Sequence, residues 1–235
     1  LLMLSLDTAT LVSTVALATE DKLIAEFTLQ TTKTHSEKLM PTIDMLCQFA
    51  GFQASDVEAI AVSTGPGSFT GLRIGMATAK ALSYANSLPL IGVPTLMGLA
   101  YNFSSSSCLI VPVLDAQKGN VYHASYRFER GNLKEIQAVN VMKAAELRHE
   151  LEELGQQVIL VGESTSLVME GAEETTLLHV AEPHLLMPRA ASIAQAAFKL
   201  FEAGQVADAM TLTPVYVRRS EAEVLWEQRQ SCCHE

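Results

Sequence analysis

Apolar and polar positions follow two rhythms along this chain. Residues 14–19 and 23–29 alternate with the period of half-buried strands, with Glu20, Asp21 and Lys22 as the turn between them. Apolar runs at 4–6, 57–63 and 89–93 predict further strands. His35–Ala50 carries helical spacing, with Thr34 or Ser36 as N-cap and Gly51 as stop. The glycine-rich loop 65–71 opens a second helix over about 72–85, and a third is predicted over 95–103. The serines at 104–107 follow as the best linker in the chain.

The second half repeats that order. Strands are predicted at 109–114, 121–128 and 133–139. An amphipathic helix over 143–154 places Leu147, Leu151 and Leu154 on one side. A strand at 157–161 precedes Gly162, and a helix over 188–203 runs from a proline to Gly204. Each half reads β-β-β-α-β, and each first strand ends in an aspartate, Asp7 or Asp115. This is duplicated topology rather than a short-period array, and it predicts two α/β lobes flanking a cleft. The expected division is an N-terminal lobe over 3–106, a smaller C-terminal lobe over 107–219 and a tail over 220–235. Helix 188–203 is free to pack back on the first lobe.

Composition narrows the function. The 235 residues include 16 basic and 26 acidic side chains, a net charge of −10, with 49% hydrophobic and 18% charged content. Such a chain can bury a core without staples and is too apolar for disorder. Its acidity opposes tight, autonomous nucleic-acid binding, because Lys and Arg supply most of that affinity. Service beside a basic subunit stays open. No uncharged apolar run approaches the ~18 residues of a spanning helix, so no membrane contact is expected. Met3 is the expected start, after two extra residues and with no signal peptide. Cys47, Cys108, Cys232 and Cys233 lack framework spacing, which fits a reducing cytoplasm.

The loop is the strongest local signal. Amides at a helix start favour anions, and glycines let a backbone approach a ligand closely. Gly65, Gly67, Ser68, Thr70, Gly71 and Arg73 therefore form a candidate phosphate or carboxylate site. No Lys follows Gly71, and the third glycine is one residue late for the dinucleotide pattern. A tight turn capped by Ser68 or Thr70 accounts for the same residues. Asp7 and Thr8 suit a metal–phosphate site completed by Asp115 across the cleft, or a hairpin held by side-chain-to-backbone bonds. No histidines pair as HxxxH or HExxH, and Ser68 lacks a nucleophile elbow. No catalytic or metal-ligating residue is assigned. Cys232, Cys233 and His234 read as an unstructured terminus.

The helix over 72–85 carries charge at Arg73 and Lys80 alone and is apolar on nearly every side. His35–Ala50 is similarly broad. A partner surface is expected from Leu39, Met40, Ile43, Leu46 and Cys47 on one helix and Leu72, Gly75, Met76, Ala79 and Leu82 on the other. Mutual cover of the two helices is the alternative.

The run Gly65-Pro66-Gly67-Ser68-Phe69-Thr70-Gly71-Leu72-Arg73-Ile74-Gly75 is highly specific. Together with Leu6-Asp7-Thr8-Ala9-Thr10, His35-Ser36-Glu37-Lys38-Leu39-Met40-Pro41 and Asp115-Ala116-Gln117-Lys118-Gly119-Asn120, it closely resembles the TsaB (YeaZ) family. Gly92-Val93-Pro94-Thr95-Leu96 and Pro214-Val215-Tyr216-Val217-Arg218 match too. The resemblance implies an α/β fold of the actin-like, Hsp70-like (ASKHA) class, two-lobed and duplicated, with a shortened second lobe. It implies a non-catalytic scaffold that helps install threonylcarbamoyladenosine beside the tRNA anticodon. The transfer would belong to the partner TsaD, whose metal-binding histidine pair this sequence lacks. TsaE, an ATPase, would join them. Two N-terminal helices would pair with TsaD, or with a second copy in isolation, and tRNA would be met through the complex.

Gly162-Glu163-Ser164-Thr165-Ser166 departs from the glycine-rich adenosine motif of nucleotide-binding members of that fold. No cofactor is therefore expected for this chain alone, with ATP or ADP and Mg²⁺ left to the complex interface. The rival expectation is an independent ATPase or kinase of the same fold, using Asp7 and Asp115 on Mg²⁺.

Overall fold

The computed structural model describes residues 1–30, 35–172 and 177–217. Thr34, one of the two expected N-caps, and the tail with Cys232, Cys233 and His234 lie outside them. Strands β1 (Met3–Asp7), β2 (Val12–Ala18) and β3 (Leu23–Gln30) form an antiparallel meander. Helix α1 (His35–Ala50) leads to β4 (Ala59–Ser63), and α2 (Phe69–Asn86) leads to β5 (Leu90–Val93); both strands join in parallel. The resulting order is β3-β2-β1-β4-β5. Helix α3 (Thr95–Ala100) ends this half.

The second half builds β6 (Leu109–Asp115), β7 (Asn120–Glu129), β8 (Asn132–Lys143), α4 (Ala144–Glu153), β9 (Val158–Val161), α5 (Thr165–Val168), β10 (Leu178–Val180) and α6 (Ala190–Glu202). Its sheet runs β10-β9-β6-β7-β8, the same topology again. The repeat is therefore longer than β-β-β-α-β: each half continues with a helix, a strand and a helix. This is the two-lobed, duplicated actin-like fold, and its second lobe is shortened. Helix α5 has 4 residues where its counterpart α2 has 18.

Strand β1 is buried on both faces, so its apolar run is nearly continuous. On one face Leu4 and Leu6 meet Leu39, Leu46 and Met76 of α1 and α2. On the other, Met3, Ala59, Ala61 and Ile91 meet Ile193, Ala197 and Phe198 of α6. The third helix of each half is thus exchanged. Helix α3 packs Leu96 and Leu99 against Ile110 and Tyr126 of the second sheet, while α6 returns to the first.

Polar bonds fix α6 in place. Ser5 Oγ donates to the Ala190 carbonyl at 2.7 Å, and the Ala190 amide donates to Thr14 Oγ1 at 3.1 Å. Glu26 accepts from the Ala191 amide at 2.9 Å and from Arg189 Nε at 3.1 Å. A strap of residues 205–217 then runs back along the first lobe. The Ala207 amide donates to the Leu90 carbonyl at 2.7 Å on the edge strand β5. Among the described residues, no helix is long and apolar enough to cross a membrane.

Candidate functional site: an acidic cleft and two outward helices

A cleft of about 1040 Å³ is lined by residues 9–11, 66–70, 115–117, 163–164 and 166–167, with Gln30, Tyr122 and strap residues 215–217. Its two halves begin alike. The Asp7 carboxylate accepts the Ala9 amide at 2.7 Å, and the Asp115 carboxylate accepts the Gln117 amide at 2.7 Å. Each aspartate closes a local turn at the end of its lobe's first strand. Asp7 is fully buried and Asp115 is exposed.

The glycine-rich loop presses on the Asp7 turn. The Ser68 amide donates to the Ala9 carbonyl at 2.6 Å, and Thr8 Oγ1 donates to the Gly71 carbonyl at 2.7 Å. The Gly65 amide donates to Thr95 Oγ1 at 3.1 Å, and the Gly71 amide to Ser68 Oγ at 3.3 Å. Ser68 thereby caps α2, which starts at Phe69, three residues before the predicted 72. A Cβ at Gly67 would lie 2.3 Å from the Ala9 carbonyl oxygen, and one at Gly71 would lie 2.0 Å from that of Thr8. One at Gly75 would meet Thr8 Oγ1 at 2.4 Å. The glycines let two stretches of the protein's own backbone touch, and three loop amides are already given to protein acceptors.

Arg73 is not among the cleft-lining residues. Its guanidinium lies 3.8 Å from the centre of the Phe69 ring, and its Nε donates to Tyr216 Oη at 3.1 Å. The ionisable acids in the cleft wall are Asp115 and Glu163, and the described lining includes no Lys or Arg. Burial against the wall, followed by the charges of Asp115 and Asp7, raises the Glu163 carboxyl above its ordinary range; a backbone amide of Asp115 opposes the shift. Glu163 keeps over a third of its surface open, so solvent tempers the effect. The cleft wall thus offers two carboxyl groups and a loop in which the Gly65, Ser68 and Gly71 amides are bonded within the protein. Glu163 entered the sequence argument only as a departure from a motif. Its place beside Gly162, the glycine after the second lobe's fourth strand, is the signal that the repeat offered.

The outward helices correct another expectation. Leu39, Ile43, Leu46 and Cys47 of α1, and Leu72, Gly75, Met76 and Ala79 of α2, are buried within the first lobe. Met40 is exposed and Leu82 half-buried. A helix that is apolar all round does not reveal which side meets the sheet. Helix α1 presents Met45 at 47% exposure and Phe49 at 77%. Helix α2 presents Thr70, Arg73, Ala77, Ala81 and Tyr84.

A family model described as TsaD, tRNA N6-adenosine threonylcarbamoyltransferase, matches residues 22–226. A Bacillus subtilis tRNA threonylcarbamoyladenosine biosynthesis protein TsaB is 32% identical over 97% of this chain and 98% of its own length. A Moorella thermoacetica tRNA N6-adenosine threonylcarbamoyltransferase is 45% identical over 67 residues, 28% of this chain and 20% of its own. The structure of YeaZ from Pseudomonas aeruginosa superposes with a TM-score of 0.80, at 24% identity, over 92% of this chain and 99% of that one. The duplicated lobes, the glycine loop locked on the Asp7 turn and these likenesses agree: the chain belongs to the TsaB (YeaZ) family.

Proposed function

We propose that this chain is a non-catalytic scaffold and activator in the synthesis of tRNA threonylcarbamoyladenosine. It docks a TsaD-type transferase through the outward faces of α1 and α2. One observation carries this reading: beside Arg73, which the strap holds, α2 exposes Thr70, Ala77, Ala81 and Tyr84, a mostly small stripe without acidic residues, on a chain of net charge −10. Small side chains let a second helix approach closely, and Met45 and Phe49 of α1 add apolar area beside it.

The match to the TsaD family model supports the choice of partner. Two lobes of related topology can meet through equivalent helices about an approximate twofold axis. A second copy of this chain then takes the same place when the transferase is missing. In this reading TsaE joins the assembled pair, tRNA is met through the complex, and the work is done in the cytoplasm. Catalysis rests with the transferase, whose lobes are held in their active arrangement by the docked scaffold. Any ATP or ADP with Mg²⁺ at the junction draws its cationic contacts from the partner, since the cleft lining here supplies none.

The test is reconstitution with TsaD, TsaE, the threonylcarbamoyl-adenylate synthase, ATP, threonine and bicarbonate, read by mass spectrometry of tRNA nucleosides. Modified adenosine is expected with this chain and not without it, and Ala77→Glu should abolish both docking and modification. Gly75→Glu is unsuitable, because a side chain there would collide with Thr8 Oγ1 inside the lobe. Modification indifferent to this chain overturns the scaffold reading. ATP turnover by the isolated chain that disappears in Asp7→Asn overturns it in favour of an independent enzyme.

A further inference from the structure

We infer that the strap, residues 205–217, forms one wall of the docking surface and sets the charge pattern that a partner must match. The inference rests on the docking reading above. Helix α2 carries two charged side chains, Arg73 and Lys80, seven residues apart and therefore on one side of the helix. The strap holds both. Arg73 Nε donates to Tyr216 Oη at 3.1 Å, and Lys80 Nζ donates to the carbonyls of Leu212 at 3.0 Å and Met210 at 3.3 Å. The rings of Phe69 and Tyr216 stand 5.0 Å apart, so the guanidinium is packed as well as bonded.

Two consequences follow from these contacts. First, the cations are drawn toward the strap, and the stripe of Thr70, Ala77 and Ala81 is left uncharged between α1 and the strap. Second, the acceptors are neutral. Among the described residues no carboxylate pairs with Arg73 or Lys80, so the two cations are held uncompensated at a fixed place on the rim. The strap also adds apolar area of its own. Met210 is 73% exposed and Val215 51%, although the Val215 amide is tied to the Thr64 carbonyl at 2.7 Å and Leu212 is anchored against the first-lobe core. Side chains that stay open on an anchored backbone are poised for contact rather than for folding. The matching occupant is a helical face of the transferase, apolar at its centre and acidic where it meets the strap.

The test uses the full chain and its cognate TsaD, with affinity measured by titration at low and moderate salt. Met210→Glu with Val215→Glu should leave the thermal midpoint unchanged and weaken binding by about tenfold or more. Arg73→Gln with Lys80→Gln should weaken binding and flatten its dependence on salt. Hydrogen exchange of strap amides should slow when TsaD binds. If Ala77→Glu abolishes docking while the strap variants bind as the parent does, the strap inference fails and the docking reading stands. If Ala77→Glu and the strap variants all bind normally, both fail.

Discussion

Single atoms decide much of this lobe. Gly71 lies so near the Thr8 carbonyl that an added methyl would sit 2.0 Å from its oxygen, against backbone that cannot rotate away. Gly71→Ala should destabilise the protein by about 3 kcal/mol, the upper part of the range for overpacking, read as a lower denaturant midpoint. A midpoint equal to that of the parent would show that the Asp7 turn yields freely. His123 poses a different problem. It is fully buried on β7, and neither ring nitrogen has a partner in the structure. Burial lowers its pKa below 6.5, so the native imidazole stays neutral. As pH falls below 6.5 the unfolded chain takes a proton that the native one refuses, and stability drops toward the lowered native value. The loss is at most about 1.4 kcal/mol per pH unit. His123→Leu should remove that slope between about pH 7.5 and 5.5 in denaturant titrations, and an undiminished slope would assign it to other groups.

At the scale of elements, the last helix is the one most dependent on polar anchors. Glu26 reaches from β3 to the first turn of α6, where it accepts the Ala191 amide at 2.9 Å and pairs with Arg189. A carboxylate there satisfies an otherwise unpaired donor and meets the positive end of the helix dipole. Glu26→Ala should cost about 1–2 kcal/mol and speed amide exchange in the first turn of α6, with Glu26→Gln losing less. Exchange unchanged in both variants would mean that apolar packing alone holds the helix. None of these anchors was legible in the sequence, because Glu26 and Arg189 are remote and each looks like an ordinary surface charge. The strands were legible from the spacing over 14–19 and 23–29 and from the bounded apolar run of β4, although β2 is buried on both faces rather than half-buried, because α1 and α6 both cover it. Strand β10 and helix α5 were not, being three and four residues long and below any usable period.

For the whole molecule, the duplication was written plainly in two aspartates at corresponding strand ends, Asp7 and Asp115. The cap role of Ser68 was readable from its place before the helix, and its Oγ accepts the Gly71 amide as expected. The orientation of α1 and α2 was not readable. Leu39 and Leu72 look the same in sequence whether they meet a sheet or a partner, and only tertiary packing separates them. The strap was not legible because residues 205–217 have no periodicity; their order comes from bonds to carbonyls and from one lysine and one arginine on a distant helix.

The exchange of α3 and α6 between the two sheets governs how such a molecule is born. On the ribosome, β1, β4 and β5 emerge and can pair early, yet the face formed by Met3, Ala59, Ala61 and Ile91 has only Met97 and Tyr101 to cover part of it until Ala190–Glu202 has been translated. The nascent first lobe is therefore sticky through most of its synthesis, a natural client for chaperones that shield apolar surface. A message truncated before that helix would yield an aggregation-prone stub rather than a working half.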